Sequence, residues 1–163
     1  MKEILTFLGI LTLLVSACKT VHSSKSVATR DLKPIEYKEF LVGMHSGIDT
    51  SDVRIARNAE SFKTLWSQTY SFMEPMPEMP EIDFGQTLVI ACFRGVCNKG
   101  GNAILVNSLT QKGKTCTLDM DYVSPGENCI TAMVICRPFV MITAPKQVEI
   151  GSVDVHKRTA LCK

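Results

Sequence analysis

Strict alternation between apolar and polar side chains from Cys116 to Tyr122 constrains the fold of this chain more than any other feature. The polar positions in between are Thr117, Asp119 and Asp121. A period of two puts the apolar side chains on one face of a β-strand and the polar ones on the other. We therefore expect a strand with one buried and one solvent-facing side, as is common in antiparallel sheets.

Several other segments predict further strands around this one. Residues 88–93 are continuously apolar, which is typical of a strand buried on both faces. Residues 111–114 resemble a turn, so residues 103–109 are the predicted hairpin partner of the alternating strand. Additional strands are predicted at residues 40–44, 53–55, 134–136, 139–143 and 148–155, the last with a bulge at Gly151-Ser152.

One amphipathic helix is predicted near residues 59–71. Phe62, Leu65, Trp66 and Thr69 recur at helical spacing and share one face, and Asn58 is a suitable N-cap. One helix and several short strands with hairpin-length links predict an α+β domain. Its sheet would be mainly antiparallel, arranged as a sandwich or a partly open barrel.

The first residues predict export and a lipid anchor. Residues 1–17 combine a short charged start, an apolar run too short to span a bilayer and small final residues, as in a signal peptide. Val15-Ser16-Ala17-Cys18 resembles a bacterial lipobox, in which the cysteine is lipidated, for example with palmitate. The alternative is an ordinary cleaved signal with an incidental cysteine. Residues 18–36 then form the lipidated end and a flexible tether, and residues 37–163 a single globular domain.

The charge and the predicted location limit the kinds of partner that we expect for this protein. The formal net charge is +2 and the Lys and Arg residues are dispersed, so nucleic acid binding is not expected. Lipidation at Cys18 would hold the protein on a membrane of the bacterial cell envelope, facing the periplasm or the exterior. The sequence predicts a membrane-anchored lipoprotein with a protein partner in the envelope.

Several segments together resemble the C-terminal domain family of the protease-complex subunit PrcB. Residues 62–66 are similar to that family's helix, and residues 80–84 to the segment entering its first buried strand. Residues 95–101 are similar to its glycine-rich turn, and residues 137–146 to its proline-aromatic strand ending in Pro-Lys. The resemblance covers roughly residues 40–150.

This resemblance implies a non-enzymatic accessory role. Members are commonly exported lipoproteins, the founding member is implicated in assembly or stability of a surface protease complex, and the family has no established catalytic residues. The turn departs from the family pattern because its usual Thr and aromatic residue are absent. The candidate partner contacts are the Met- and Pro-rich segment 73–80 and the residues Asn98, Lys99, Gly100, Gly101, Asn102, Arg137, Pro138 and Phe139.

No catalytic site or cofactor is expected. His45, Asp49 and a serine could be drawn as a triad, but no nucleophile-elbow motif occurs. The alternative function is a chagasin-like protease inhibitor, because Arg137-Pro138-Phe139 is faintly similar to one of that family's motifs. A further alternative is a small metal-binding or redox protein.

Seven cysteines are the remaining constraint. Setting aside Cys18 leaves six, which is consistent with disulfides in an exported domain and allows 15 pairings. Cys97 and Cys129 both fall in predicted loops and are the first candidate pair. Cys116 is a candidate buried free thiol, and the cysteine spacings do not favour a zinc site.

Met73, Met76 and Met79 would share one face of a polyproline II helix. Three thioethers on one face could bind Cu(I), form an apolar contact strip for a partner, or pack on the domain. The sequence leaves these three interpretations open.

Overall fold

The structure, a computed structural model, describes residues 32–162. The predicted signal peptide, Cys18 and most of the predicted tether lie outside these residues. Within them, no helix is long and apolar enough to cross a membrane. The described elements are β1 Lys33–Pro34, β2 Lys38–Gly43, β3 Ser51–Ala56, α1 Ala59–Thr69, β4 Thr87–Arg94, β5 Ala103–Lys112, β6 Thr115–Pro125, β7 Phe139–Pro145 and β8 Ile150–Ala160.

The strands form two four-stranded sheets. Sheet A has the order β1-β5-β6-β8, and sheet B has the order β2-β7-β4-β3. Neighbouring strands are antiparallel except β6 and β8, which are parallel. The sheets stack as a sandwich and do not close into a barrel. The predicted α+β class with a mainly antiparallel sheet is therefore confirmed.

The inner faces of the two sheets enclose the larger core. The apolar face of β6 contributes Leu118 and Met120, and that of β4 contributes Leu88 and Ile90, all buried. Because opposite faces of β6 differ so sharply in polarity, only one register keeps its apolar side chains inside. Cys116 lies in the same cluster as a buried free thiol, as predicted.

Helix α1 covers the outer face of sheet B and makes β4 a strand buried on both sides. Phe62 and Trp66 pack against Val89 and Phe93 of β4 in a second buried cluster. The predicted cap is confirmed, because the Asn58 side chain accepts a 2.8 Å hydrogen bond from the backbone amide of the third helical residue. The molecule therefore has three layers, one helical and two of sheet.

The predicted hairpin and bulge are both present in sheet A. β5 and β6 pair antiparallel, and Gly113 in their connection has a φ of +63°, which glycine adopts without a steric cost. The register of β8 against β6 shifts at Gly151, where an added Cβ would lie 2.8 Å from the Thr115 side chain. Close backbone approach explains the glycine at this bulge.

The folded region begins earlier than the predicted boundary at Tyr37. Lys33 and Pro34 pair with Gln111 and Thr110 of β5, so the last residues of the predicted tether are part of sheet A. The Tyr37 hydroxyl then donates a 2.8 Å hydrogen bond to a β5 carbonyl. A two-residue strand is too short to give an alternation pattern, which explains why the sequence did not reveal it.

The strand predicted at residues 134–136 is wrong. Val134 and Ile135 are exposed and belong to a loop, and only Cys136 makes an isolated bridge to another segment. A short apolar run has the composition of a buried strand, but here nothing in the described part of the chain covers it. The loop it belongs to is central to the candidate site.

A polar network occupies the solvent-facing side of sheet A. The Asn107 amide donates to Asp119 Oδ1 at 2.6 Å and to Asp121 Oδ1 at 2.8 Å. Arg158 on β8 reaches Asp121 Oδ2 at 3.3 Å, and His156 lies 3.2 Å from Asp119 Oδ2. The hydrogen bond from Asn107 lowers the pKa of Asp121 against the opposing effect of partial burial, with further lowering from Arg158 and His156.

We expect the stability of the domain to fall at low pH because the stabilising contribution of ionised Asp121 is lost there. Because its pKa is lower in the folded state than the ordinary 3.8, its ionisation contributes stability above that pH. The contribution is lost as the pH falls through the folded pKa. Asp121→Asn should therefore flatten the fall in unfolding free energy below that pH, measured by urea denaturation across a pH series. Asp154→Asn, an exposed carboxylate on β8, is the matched control, and equal acid sensitivity of wild type and Asp121→Asn would contradict the assignment.

Candidate functional site

The most exposed apolar surface lies on the connection between β6 and β7. We call residues 126–138 the apolar loop. Ile130 is fully exposed, Met133 is 82% exposed and Ile135 is 61% exposed. Single exposed apolar side chains are ordinary, but a contiguous group of them marks an interaction surface in soluble domains.

The apolar loop is held against residues 95–102, which we call the glycine turn. Cys97 and Cys136 exchange two backbone hydrogen bonds, of 2.8 and 2.9 Å. The amide of Gly100 donates a 2.9 Å hydrogen bond to the carbonyl of Ala132. The loop is therefore fixed at its middle and at its end while its apolar side chains face solvent.

The glycines of the turn meet specific backbone requirements. Gly95 and Gly101 have φ values of +79° and +80°, which favour glycine. A Cβ at Gly95 would lie 2.7 Å from the Asp49 carbonyl oxygen, so this position also demands close backbone approach. Asn102 is buried, and its amide donates a 2.6 Å hydrogen bond to the Lys99 carbonyl.

Most of the predicted contact residues of the turn reach the surface, but Asn102 does not, because its side chain is buried and bonded to the Lys99 carbonyl. Asn98, Lys99 and Gly101 are exposed, and Gly100 is half-buried beside the apolar loop. The turn and β6 line a small groove of about 350 Å³. The glycine turn and the apolar loop thus form one continuous surface at the same end of the sandwich, although two strands, β5 and β6, separate them in the sequence.

A disulfide fixes the start of the apolar loop, but its partner differs from the predicted one. Cys129 is bonded to Cys162, with a Cα–Cα distance of 5.4 Å, so the predicted Cys97–Cys129 bridge is wrong. The reason is the course of β8: Ala160 lies close enough to accept a 3.0 Å hydrogen bond from the Gly126 amide. Cys97 instead lies opposite Cys136.

The three residues predicted as a contact motif at the junction of the apolar loop and β7 have structural roles. Phe139 is 1% exposed and stacks on Phe93, with ring centroids 6.1 Å apart, and Pro138 is also buried. Their proposed contact with a partner is therefore wrong, because neither side chain reaches the surface. Arg137 is half-exposed and forms an ion pair with Asp49.

The Met- and Pro-rich segment lies on the helix side of the molecule. Met73, Met76 and Met79 are between 37% and 49% exposed, so they are not packed away in the core. The segment is attached through Trp66, whose indole N–H donates a 2.9 Å hydrogen bond to the Pro77 carbonyl. It remains a second exposed apolar surface.

The structure gives no support to the residues drawn as a triad. The Asp49 carboxylate is paired with Arg137, and His45 is exposed. Residues 32–162 contain no group of three or more His, Cys, Asp or Glu side chains that could hold a metal ion.

One comparison with known proteins gives a match. Residues 88–145, from β4 to the end of β7, match the family model described as PrcB C-terminal. No curated protein and no solved structure gives a significant match. The resemblance predicted from the sequence is thus confirmed, over a shorter stretch than residues 40–150.

Residues 88–145 are therefore similar to the PrcB C-terminal family, which supports a domain of that type in this chain. Such a domain is consistent with a subunit associated with a protease complex, and the family is not itself catalytic. The matched stretch includes the glycine turn and the apolar loop, so the surface described above lies within the family's own region.

Proposed function

We propose that the chain is a non-enzymatic, lipid-anchored lipoprotein of the cell envelope whose domain docks an exported protein partner, a component of a protease complex. The docking surface is the apolar loop together with the glycine turn. The observation that carries the proposal is the exposure of Ile130, Met133 and Ile135 on a loop fixed by a disulfide and by backbone pairing. The match to the PrcB C-terminal family supports the kind of partner.

The energetics of the apolar loop favour docking. Fully burying a large apolar side chain contributes about 1.5–3 kcal/mol. Because association also costs the ordering of loops, a loop that is already held in place loses less conformational freedom on binding. The disulfide to Cys162 and the pairing of Cys97 with Cys136 supply that preorganisation here. Exposed Lys99 at the rim adds a charge that orients the partner.

The anchor completes the proposal. Cys18 would carry the acyl chains after cleavage of residues 1–17, and each buried methylene contributes about 0.8 kcal/mol to membrane binding. Stable anchoring needs more than one chain, which bacterial lipoproteins provide. The domain would then meet its partner at the membrane surface, where anchoring raises the local concentration of both.

Introducing negative charge into the apolar loop tests whether the loop is the docking surface. We expect Met133→Asp combined with Ile135→Asp to reduce recovery of the partner at least about tenfold, since burying two unpaired carboxylates is costly. The measurement is crosslinking of the full lipoprotein in native membranes, followed by mass spectrometry of what is recovered. Met76→Asp introduces one such charge on the exposed Met- and Pro-rich segment and is the control.

The outcome separates the two exposed surfaces. Recovery of an exported protease or a subunit of its complex by wild type and Met76→Asp, but not by the loop variant, supports the proposal. Equal recovery by all three proteins places the interface elsewhere. If only Met76→Asp loses the partner, the Met- and Pro-rich segment is the docking surface and the proposal is overturned.

The inhibitor alternative has lost its structural basis. It depended on Arg137-Pro138-Phe139 as an exposed motif, and two of these three residues are buried. An assay against papain-like and subtilisin-like proteases would show inhibition only if a different surface served that purpose.

A further inference from the structure

Two thiols lie opposite each other where the apolar loop meets the glycine turn. Cys97 and Cys136 form an antiparallel bridge in which each amide donates to the other's carbonyl. Both are free cysteines in the structure, one half-exposed and the other buried. Their thiols point to carbonyl oxygens of the same turn, Cys97 to Gly95 at 3.9 Å and Cys136 to Lys99 at 3.2 Å.

The backbone geometry at this bridge suits a disulfide. In a hydrogen-bonded antiparallel pair the Cα atoms are about 5.5 Å apart, and opposed Cβ atoms are about 4.5–5.5 Å apart. Disulfides most often join Cα atoms about 5.5–6 Å apart, with Cβ atoms at about 3.5–4.5 Å. The two side chains therefore need to approach only slightly. The Cα spacing typical of such a pair is comparable to the 5.4 Å between the bonded Cys129 and Cys162.

We propose that Cys97 and Cys136 form a second, reversible disulfide that closes the apolar loop onto the glycine turn. The oxidant is a small or protein disulfide that acts by thiol–disulfide exchange. One cysteine thiolate attacks a sulfur of that disulfide and releases a thiolate. The second cysteine then attacks the mixed disulfide and releases the other thiolate. The protons lost by the two cysteines end on the two released thiols, so the protein loses two electrons and the oxidant gains them.

The order of attack follows from exposure. Cys97 is half-exposed and reachable by an incoming disulfide, whereas Cys136 is 1% exposed. Burial raises the pKa of the Cys136 thiol, and the neighbouring Cys97 raises it further. Because the thiolate is the nucleophile, Cys97 is the entry thiol and Cys136 resolves the mixed disulfide from within.

This disulfide would restrict the motion of the loop that carries the exposed apolar residues. With Cys129–Cys162 at its start and Cys97–Cys136 at its end, the loop would be covalently fixed on both sides of Ile130–Ile135. The inference does not depend on the identity of the partner, or on there being one. It concerns the state of the domain itself and is measured without a partner.

The test uses the full chain carrying Cys18→Ser, which leaves the six cysteines of residues 32–162. The folded protein is incubated with oxidised glutathione, alkylated and digested without reduction. We expect a peptide that joins Cys97 to Cys136, while buried Cys92 and Cys116 stay free and become alkylated only after unfolding. Reduced glutathione should restore both thiols. Hydrogen exchange at residues 130–135 should slow at least about threefold on oxidation.

Each possible result either supports or overturns the proposed disulfide. The Cys97–Cys136 peptide with slower exchange in the loop supports the proposal. It is overturned if both thiols stay free under conditions that preserve Cys129–Cys162, or if Cys97 is joined to another cysteine. It is also overturned if the bond forms without changing exchange in the loop. Cys97→Ser serves as the control, because it should abolish both effects of oxidised glutathione on the loop.

Discussion

Phe139→Ala should lower the free energy of unfolding by about 3–5 kcal/mol. The ring is 1% exposed, lies 6.1 Å from the Phe93 ring and 5.9 Å from the Tyr70 ring, and fills the space above Gly43. Truncation removes the transfer free energy of the ring and leaves a cavity that a rigid sheet fills only partly. Chemical denaturation of wild type and variant measures the loss.

Phe72→Ala is the matched control for this experiment. Phe72 is 55% exposed, so the same substitution should change the free energy of unfolding by no more than about 0.5 kcal/mol. If Phe139→Ala were as harmless as the control but abolished recovery of the partner, Phe139 would be a contact residue, as the sequence had suggested. A large loss of stability establishes it as part of the core.

Replacing Cys129 and Cys162 together with alanine should lower the free energy of unfolding by about 2–4 kcal/mol. The bond joins positions 33 residues apart and restricts the unfolded chain over that whole stretch. Urea denaturation without reductant gives the difference between the variant and wild type. The loss should be accompanied by faster proteolysis within the apolar loop, because its covalent attachment is gone.

Exposed neighbours of the two cysteines provide the control. Glu127→Ala combined with Leu161→Ala changes side chains beside the bond while leaving it intact, and should shift the free energy of unfolding by no more than about 0.5 kcal/mol. Equal stability of wild type and the cysteine variant under non-reducing conditions would show that the bond does not constrain the unfolded chain. Free Cys129 and Cys162 in the purified protein would contradict the bond itself.

The elements that the sequence predicts correctly are those with a local cause. Helix α1 follows from the spacing of Phe62 and Trp66 and from the Asn58 cap, and β6 follows from strict alternation. The β5–β6 hairpin depends on a turn a few residues long. In each case, the residues that determine the element lie within or next to it.

The features that the sequence did not reveal depend on distant contacts. The parallel pairing of β8 with β6 brings Cys162 to Cys129, and nothing near either cysteine encodes that approach. The run Met133-Val134-Ile135 has the composition of a buried strand, and its exposure depends on what the rest of the fold leaves uncovered. The sequence also does not place Phe139 in the core, because a position after a proline carries no information about which layer the ring enters.

The site was predicted in part for the same reason. The turn residues Asn98, Lys99 and Gly101 are recognisable from glycine spacing and are exposed. The more exposed partner of that turn, the apolar loop, is recognisable only in three dimensions. The apolar run from Ala132 to Cys136, which lies between Pro125 and Pro138, is a local signal that could have indicated it.

The placement of β1 has a consequence for how the proposed lipid anchor would orient the domain on a membrane. Lys33 lies opposite Gln111, at the hairpin end of β5, whereas the glycine turn and the apolar loop lie at the other end of that ten-residue strand. At about 3.4 Å per residue the two ends are about 30 Å apart. With the proposed anchor at Cys18, the chain up to Lys33 adds at most about 50 Å. The domain would therefore be attached at the hairpin end of β5 and would present the proposed docking surface away from the bilayer. The two lengths together would place that surface at most about 80 Å above the membrane.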